Sequence, residues 1–210
     1  MSNPWEKLKL EHYEGHMQYK EVLQSQCLNS IMKSQLKDYD TKSICILGIS
    51  GGNGLEHVDT SSILEITGID INQEYLLACN ARFPELNSIL KLIHADITSS
   101  VFKIPDSEMI IANLIIEYIG IDNFKKIICK SNAIYISCVI QVSNYNSFVS
   151  NTPFMNYFDD ISDIHSDIDK NSLIDGLKCI GYDLLFTDEI KMKNNKSLVR
   201  MDFIINYFQR

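Results

Sequence analysis

Glycines and acids whose spacing suits nucleotide chemistry lie in the first half of the chain. A short apolar run over 44–47 leads into a glycine-rich segment, whose small residues are Gly48, Ser50, Gly51, Gly52 and Gly54. Because glycine carries no side chain, a strand that breaks into such a turn lets the backbone approach a ligand closely. The segment therefore predicts a loop that packs against a nucleotide or a similar ligand.

Two aspartates follow later strand-like segments. Asp70 comes directly after the segment over 63–69, and Asp96 follows the segment over 90–95. The carboxyl ends of parallel strands meet at one edge of a sheet, so both acids are predicted beside the glycine-rich segment. An acid at the second strand tip can accept hydrogen bonds from ribose hydroxyls. For Asp96, capping the following helix is the alternative role.

The apolar pattern predicts the elements that position these residues. Strands are predicted over 44–47, 63–69, 90–95, 109–116 and 133–142, and helices after Gly54, over 73–82 and over 124–130. Helical spacing over 8–36 precedes this block, and a helix over 171–180 follows it. The runs over 182–192 and 198–207 flank a polar loop and predict an antiparallel hairpin. Alternating strands and helices require parallel pairing through right-handed crossovers, which predicts an α/β sandwich.

These features resemble class I S-adenosylmethionine-dependent methyltransferases. The resemblance covers about residues 43–142, and the terminal hairpin fits the reversed last strand of that family. It implies a Rossmann-like three-layer sandwich with a mostly parallel seven-stranded sheet, a C-terminal antiparallel hairpin and N-terminal helices. It also implies one domain over 1–210, whose parts are an N-terminal helical cap (1–42), a cofactor-binding core (43–142), a substrate-side insertion (143–170) and a C-terminal helix and hairpin (171–210).

The resemblance implies S-adenosylmethionine as the cofactor and gives roles to residues that match the family's motifs. The glycine-rich segment would pack against the methionine part of the cofactor. Asp70 would bind the ribose hydroxyls, and Ile71 would pack on the adenine. Asp96 would contact the adenine amino group, with Ile97 alongside the ring. Asn113 lies in a segment that looks like the fourth-strand region lining the methyl-transfer site.

The glycine-rich segment departs from the family at two positions. Gly48 stands where the family has an acid, and Ser50 replaces the first loop glycine, whereas Gly52 and Gly54 keep the later spacing. A nicotinamide-binding loop would need a third glycine where His57 stands. The Gly-Lys-Ser/Thr sequence of a phosphate-binding loop is missing as well.

No residue is assigned as catalytic, because methyl transfer needs an oriented acceptor and only sometimes a base. The candidates are Tyr13, His16, Glu117 and Tyr118. Tyr13 and His16 belong to an opening segment that looks like an uncharacterised bacterial subgroup of the family. Glu117 and Tyr118 follow the fourth predicted strand, where a helix-start acid and a core aromatic are equally good interpretations.

The last third of the chain contains a group of aromatic residues and a group of acids. The aromatic residues would cover an apolar acceptor or pack the insertion onto the sheet; they are Tyr145, Phe148, Phe154, Tyr157 and Phe158. The acids over 159–169 lack the spacing of an EF-hand. His12 and His16 share a helical face without a third ligand, so no metal site is predicted.

Charge and composition narrow the partners. The net charge of −8 and the isoelectric point near 5.1 argue against nucleic acid and against an anionic membrane surface. No stretch reaches the roughly 18 consecutive apolar residues of a membrane span. The six cysteines have neither zinc-site spacing nor the pattern of a small disulfide scaffold, which indicates a reducing, cytoplasmic compartment.

The sequence therefore predicts a cytoplasmic methyltransferase that acts on a small-molecule acceptor. Two alternatives stay open. One is a non-catalytic S-adenosylmethionine-binding or regulatory protein, and the other is a protein methyltransferase that recruits a partner chain through its N-terminal helix and residues 144–169. A homodimer is also compatible with the sequence.

Overall fold

The computed structural model describes residues 3–143 and 149–207, and a seven-stranded sheet lies at its centre. The strands are β1 (Ser43–Leu47), β2 (Glu65–Asp70), β3 (Leu90–His94), β4 (Met109–Asn113), β5 (Tyr135–Ser143), β6 (Tyr182–Lys191) and β7 (Lys196–Ile205). Their order across the sheet is β3-β2-β1-β4-β5-β7-β6. The strands β1 to β5 pair in parallel, and β7 runs antiparallel between β5 and β6.

Helices cover both faces of this sheet. They are α1 (Leu10–Met17), α2 (Gln24–Gln35), α3 (Gln73–Arg82), α4 (Ile116–Ile128), α5 (Asp159–Ser162) and α6 (Lys170–Lys178). Short 3-10 turns lie at Pro4–Glu6, Leu55–His57, Pro84–Leu86 and Met155–Phe158. Among the described helices, none combines the length and the apolar character that crossing a bilayer requires.

Side chains at alternate positions of the central strands belong to two separate apolar clusters, one on each face of the sheet. Cys45 and Leu47 face the cluster that contains side chains of α4 and α6, whereas Ile44 and Ile46 face the one that contains side chains of α2 and α3. Because successive side chains of a strand point to opposite faces, a strand buried on both faces is apolar throughout. The structure confirms the predicted three-layer sandwich, its mostly parallel sheet and its C-terminal antiparallel hairpin.

Several predicted element boundaries were wrong. The helical spacing over 8–36 is divided between α1 and α2, because Leu23 adopts a left-handed conformation (φ 52°) that a continuous helix excludes. The helix predicted after Gly54 is only the 3-10 turn Leu55–His57. The fourth strand ends at Asn113 instead of 116, since Leu114 turns the chain with a φ of 55°.

The helix predicted over 124–130 is the second half of α4, which begins at Ile116 and is interrupted at Gly120 (φ 76°, ψ 156°). The first turn of α4 was hidden from the sequence because Ile115 and Ile116 continue the apolar run of β4. Of the predicted aromatic group, Phe154, Tyr157 and Phe158 lie in or beside the 3-10 turn before α5. Tyr145 and Phe148 lie outside the described residues.

Candidate functional site

A cavity of about 280 Å³ opens at the carboxyl edge of the parallel strands; we call it the main cavity. The tips of β1, β2 and β3 supply one wall, which includes Gly48, Ser50, Asp70, Ile71, Asp96 and Ile97. The turn from β4 into α4 supplies a second wall, from Asn113 to Ile115 and at Tyr118. Asn3, Trp5 and Tyr13 of the N-terminal segment cover the cavity. The structure thus brings together the three predicted strand tips.

The loop after β1 owes its shape to four residues in left-handed conformations. The φ angles are 69° at Gly48, 52° at Ser50, 84° at Gly52 and 93° at Gly54. Gly48 and Ser50 line the main cavity, whereas Gly51 lies beside a smaller cavity of about 70 Å³ under α1 and α2. A ligand in the main cavity can therefore contact the first half of the loop, from Gly48 to Ser50.

Packing inside the protein gives a second reason for the later glycines. A side chain at Gly52 would meet Phe83 and Cys79 at 2.7 and 2.8 Å, and one at Gly54 would meet Met32 at 2.5 Å. Gly52 and Gly54 belong to none of the cavity walls described here. Cofactor binding by these two residues stays a prediction, and close packing against α2 and α3 already accounts for them.

Asp70 ties the glycine-rich loop to the tip of β2. Its Oδ2 accepts a hydrogen bond of 2.8 Å from the backbone amide of Ser50, and its Oδ1 accepts one of 2.9 Å from the backbone amide of Asn72. Burial raises the pKa of Asp70, while these amides act in the opposite direction. Each carboxylate oxygen keeps a second lone pair, so Asp70 can still accept hydrogen bonds from a ligand in the main cavity.

Asn72 fastens the N-terminal segment over this acid. Its Nδ2 donates to the carbonyl oxygens of Trp5 and Leu8 at 2.8 and 3.1 Å. Its Oδ1 accepts from the amides of Glu74 and Tyr75, which caps α3. Sequence reasoning missed this residue, although an asparagine directly before a predicted helix is the usual signal of a cap.

The prediction that Asp96 caps a helix was wrong, because a turn, and no helix among the described residues, follows β3. Asp96 Oδ1 accepts hydrogen bonds from the amide and the hydroxyl of Thr98 at 2.8 and 2.7 Å, which shapes the turn after β3. The residue is also exposed and lines the main cavity, next to the buried Ile97. Its contact with an adenine amino group remains a prediction.

Asn113 lines the main cavity, but its side-chain amide forms hydrogen bonds with Gln35 of α2. Gln35 Nε2 donates to Asn113 Oδ1 at 2.9 Å, and Asn113 Nδ2 donates to Gln35 Oε1 at 2.8 Å. Gln35 Nε2 also lies 2.8 Å from Ser137 Oγ in β5. The amide pair fixes the turn at the end of β4, so a ligand would meet the backbone and the outer edge of Asn113.

Comparisons with known proteins place this architecture. No protein-family model matches the sequence, and no curated protein matches it. Among solved structures, magnesium protoporphyrin IX methyltransferase from Synechocystis PCC 6803, solved with bound S-adenosylhomocysteine, has a TM-score of 0.69 at 9% identity, covering 96% of each chain. The N-methyltransferase NodS from Bradyrhizobium japonicum WM9, also with S-adenosylhomocysteine, has a TM-score of 0.67 at 10% identity, covering 97% of this chain and 99% of its own.

The chain has the class I methyltransferase fold. At such low identities the likeness establishes the fold and leaves the reaction open. A third neighbour illustrates the point, because the cyclase SpnF, described as a 4+2 cyclase, has a TM-score of 0.65 at 9% identity over 88% of this chain and 83% of its own. Within this methyltransferase fold, the function therefore has to be argued from the site.

Aromatic rings of the N-terminal segment and α4 meet above the main cavity. The ring of Trp5 packs edge-on against Tyr118 and Tyr13, with centroids 4.8 and 5.8 Å apart, and Tyr13 stacks near Tyr75 at 6.0 Å. Burial raises the pKa values of Tyr13 and Tyr118 far above neutrality. Both phenols therefore stay protonated, which suits them to donate hydrogen bonds and makes neither a base.

A smaller chamber of about 50 Å³ lies behind these rings; we call it the polar cavity. It shares Trp5, Tyr13, Leu114 and Tyr118 with the main cavity. Its other walls carry polar side chains from four elements, which are His16, Gln24, Glu117, Gln141 and His165. All four candidate catalytic residues of the sequence analysis thus border this chamber.

His16 is held as a neutral imidazole. Its Nδ1 lies 2.9 Å from Thr152 Oγ1, and its ring packs at 4.6 Å from that of Phe158. Burial, assisted by the positive charge of Lys196, lowers the pKa of His16 to about 4. The ring of His12 stacks on that of Tyr157 at 3.6 Å. Over the described ranges, no group of three or more His, Cys, Asp or Glu side chains is placed to hold a metal ion.

Glu117 has one occupied and one unoccupied carboxylate oxygen. The residue is only 2% exposed, and its Oε1 accepts a hydrogen bond of 2.7 Å from the backbone amide of Gln141 in β5. Its Oε2 is buried without a hydrogen-bond partner among the described residues. Burial raises the pKa of Glu117 to about 7, and the negative charge of Asp167 adds to the increase.

Glu117→Gln should change how stability depends on pH. Because the folded-state pKa lies above the unfolded value, the carboxyl contributes stability below about pH 4.5 that is lost as the pH rises through about 7. Relative to wild type, the variant should gain on the order of 3 kcal/mol between pH 5 and pH 8. Urea titrations at pH 5 and pH 8 measure the free energy of unfolding of both proteins. If the variant and wild type differed by the same amount at both pH values, the raised pKa of Glu117 would be wrong. Other titratable groups lie near Glu117 or the polar cavity, and because both proteins contain them, the comparison isolates the contribution of Glu117. These groups are Tyr13, His16, Tyr118, Cys138, His165, Asp167 and Lys196.

Proposed function

We propose that this chain is an S-adenosylmethionine-dependent methyltransferase that acts on a small-molecule acceptor. The observation that carries the proposal is the main cavity, where the buried Asp70 lies beside the apolar walls of Ile71 and Ile97 at the tips of parallel strands. A carboxylate beside a flat apolar slot suits a ribose joined to an adenine. Ligands of open α/β sheets bind at this edge.

The residues present fit this cofactor. Two buried donors that border the main cavity, Trp5 Nε1 and the Tyr75 hydroxyl, have no hydrogen-bond partner among the described residues. Buried polar groups are normally paired, so unpaired donors at a cavity wall indicate room for ligand acceptors. Bound there, the cofactor supplies an activated methyl group. Asp70 and the loop from Gly48 to Ser50 would hold and orient it.

The absence of the family's acid at Gly48 leaves the region near the methionine end without a charge from β1. Glu14 of α1 borders the smaller cavity together with Gly48 and forms a bidentate pair with Arg82 of α3. Arg82 also donates to the Gly51 carbonyl at 3.3 Å. This bridge closes over the loop from outside and gives the loop a support that does not depend on a strand acid.

Enclosure supports a small acceptor. Trp5 and Tyr13 of the N-terminal segment line the main cavity, and their rings pack with that of Tyr118 where the main cavity and the polar cavity adjoin. A peptide acceptor would need an open groove at this place. One structural neighbour, magnesium protoporphyrin IX methyltransferase, is named for a small-molecule acceptor.

A protein that binds the cofactor without methyl transfer is the second candidate. Gly48 in place of the family's acid favours it, and so does the fold's occurrence in a protein described as a cyclase. Binding alone would not separate this candidate from an enzyme, because both would hold S-adenosylmethionine. Turnover with release of S-adenosylhomocysteine distinguishes them.

Calorimetric titration of the full chain tests the proposal. We expect S-adenosylmethionine and S-adenosylhomocysteine to bind one site, at least tenfold more tightly than NAD, because the loop lacks the nicotinamide fingerprint. If neither compound binds, or if NAD binds equally well, the proposed function is wrong. Where binding holds, a screen of small metabolites for released S-adenosylhomocysteine separates the enzyme from the binding protein.

A further inference from the structure

Two unpaired polar atoms of opposite character border the polar cavity. Glu117 Oε2 is an acceptor and Trp5 Nε1 is a donor, and both are buried without a partner among the described residues. Leaving a buried carboxylate oxygen unpaired costs more than leaving a neutral group unpaired. The fold retains this cost at a cavity wall, where a ligand can remove it.

The cavity has the size of a head group. Its volume of about 50 Å³ is a few times the roughly 10–15 Å³ that a cavity needs to hold one water molecule. The chamber therefore holds only the end of a ligand. Trp5, Tyr13, Leu114 and Tyr118 also line the main cavity, so that end lies next to the place where a nucleoside cofactor would sit.

The chemistry of the walls selects a positively charged or strongly donating group. Aromatic side chains from three elements, Trp5, Tyr13 and Tyr118, line the same chamber as Glu117. Carboxylates and aromatic faces together attract amino groups, through ion pairing and through cation–π interaction. Gln24 Nε2 donates to Gln141 Oε1 at 3.2 Å, and the amide oxygen of Gln24, which lines the same chamber, can accept a further N–H.

We propose that the polar cavity is the acceptor site and that it takes the amino group of a small aliphatic amine, with Glu117 Oε2 as its hydrogen-bond acceptor and proton acceptor. This inference rests on the proposed function for its methyl donor. His16 and His165 border the chamber too, but burial lowers the pKa of both imidazoles, that of His16 to about 4, so each holds a proton less well than Glu117 does.

The proton and the electron pairs balance in this step. The amine enters as an ammonium ion and gives one proton to Glu117, which becomes a neutral carboxylic acid. The freed nitrogen lone pair then forms a bond to the methyl carbon, and the electrons of the broken carbon–sulfur bond stay on sulfur. The products are a methylammonium ion and neutral S-adenosylhomocysteine, and Glu117 returns its proton to solvent. Once the product has left, the carboxyl again has a pKa of about 7 and can release this proton near neutrality.

The test uses the full chain with its glutamate side-chain carboxyls labelled for NMR, and ethylamine as the probe. Glu117→Gln identifies the resonance of Glu117. We expect saturating ethylamine to lower the pKa of Glu117 by one unit or more, because an ammonium ion stabilises the carboxylate. We also expect Glu117→Gln to bind ethylamine at least tenfold more weakly than wild type does.

Two controls make the result specific. Glu65→Gln changes a glutamate at the opposite end of β2, where it pairs with Lys91, and should bind ethylamine as wild type does. Ethanol has nearly the same size and no positive charge, and should leave the pKa of Glu117 unchanged. An equal effect of ethanol would overturn the amine assignment. A resonance that ethylamine leaves unmoved would show that water alone satisfies Oε2 and would overturn the acceptor site.

The outcome is separable from that of the proposed function, because the NMR measurement needs no cofactor. It is run with and without S-adenosylhomocysteine. If ethylamine bound to a chain that binds no S-adenosylmethionine, the amine site would stand, but the proposed methyl-transfer step would be wrong. Cofactor binding without an ethylamine effect would overturn only the acceptor site.

Discussion

Replacing Asp202 by alanine is expected to lower the free energy of unfolding by about 3–5 kcal/mol, because it leaves a buried arginine without its main partner. Asp202 is 1% exposed and lies in β7. It accepts hydrogen bonds from Arg200 Nε and Nη2 at 3.0 and 2.6 Å and from the Tyr39 hydroxyl at 2.7 Å. Arg200 is itself 5% exposed and would keep only Asp38 as a carboxylate partner.

Urea denaturation of wild type and variant measures this loss. Asp175→Ala is the matched control, since Asp175 is exposed on α6 and its replacement should change the free energy of unfolding by less than about 0.5 kcal/mol. Replacing Arg200 and Asp202 together by leucines should recover part of the loss, because no charge is then left buried. A loss below about 1 kcal/mol for Asp202→Ala would mean that the network contributes little.

The same network reaches the candidate site. Ser137 donates to Asp202 and also contacts Gln35, whose amide holds Asn113 at the end of β4. Asn113 borders both the main cavity and the smaller cavity under α1 and α2. A buried polar chain of this kind fixes side chains in one arrangement only when every member is paired. The rigidity of one site wall therefore depends on an ion pair whose residues, Arg200 and Asp202, line none of these cavities.

The sheet and its carboxyl edge could be predicted from the sequence because they depend on local patterns. Short apolar runs such as 44–47 and 109–112 are typical of inner strands, and Gly48 and Asp70 come directly after the predicted first and second strands. Parallel order then fixes which residues meet at the edge. The confirmed parts of the fold follow from these two facts.

What the sequence could not predict depends on contacts between distant residues. Leu23 breaks the N-terminal helix in two although nothing in its own type opposes a helix. Asn72 holds the carbonyl of Trp5, and Gln35 holds Asn113, across separations that no periodicity marks. Glu117 looked like an ordinary first-turn acid, and only the packing of β5 and the aromatic rings leaves one of its oxygens unpaired.

Asp70→Asn is expected to weaken binding of S-adenosylhomocysteine by about ten- to a hundredfold, which corresponds to the roughly 1.5–3 kcal/mol of a hydrogen bond to a charged group. The structure complicates a simple deletion, because both carboxylate oxygens also accept backbone amides, from Ser50 and Asn72. An asparagine must present its NH₂ group to one of these amides. The variant therefore loosens the loop as well as any ribose contact.

A second ligand separates these two effects. The 2′-deoxy analogue of S-adenosylhomocysteine lacks one of the hydroxyls that Asp70 is proposed to hold. If Asp70 contacts the ribose, the analogue binds wild type more weakly than the parent compound, and this difference largely disappears in Asp70→Asn. If Asp70 only holds the loop, both ligands lose the same factor in the variant. Asp59→Asn is the control, because Asp59 shapes an exposed turn through Ser61 outside the main cavity and should leave both affinities unchanged.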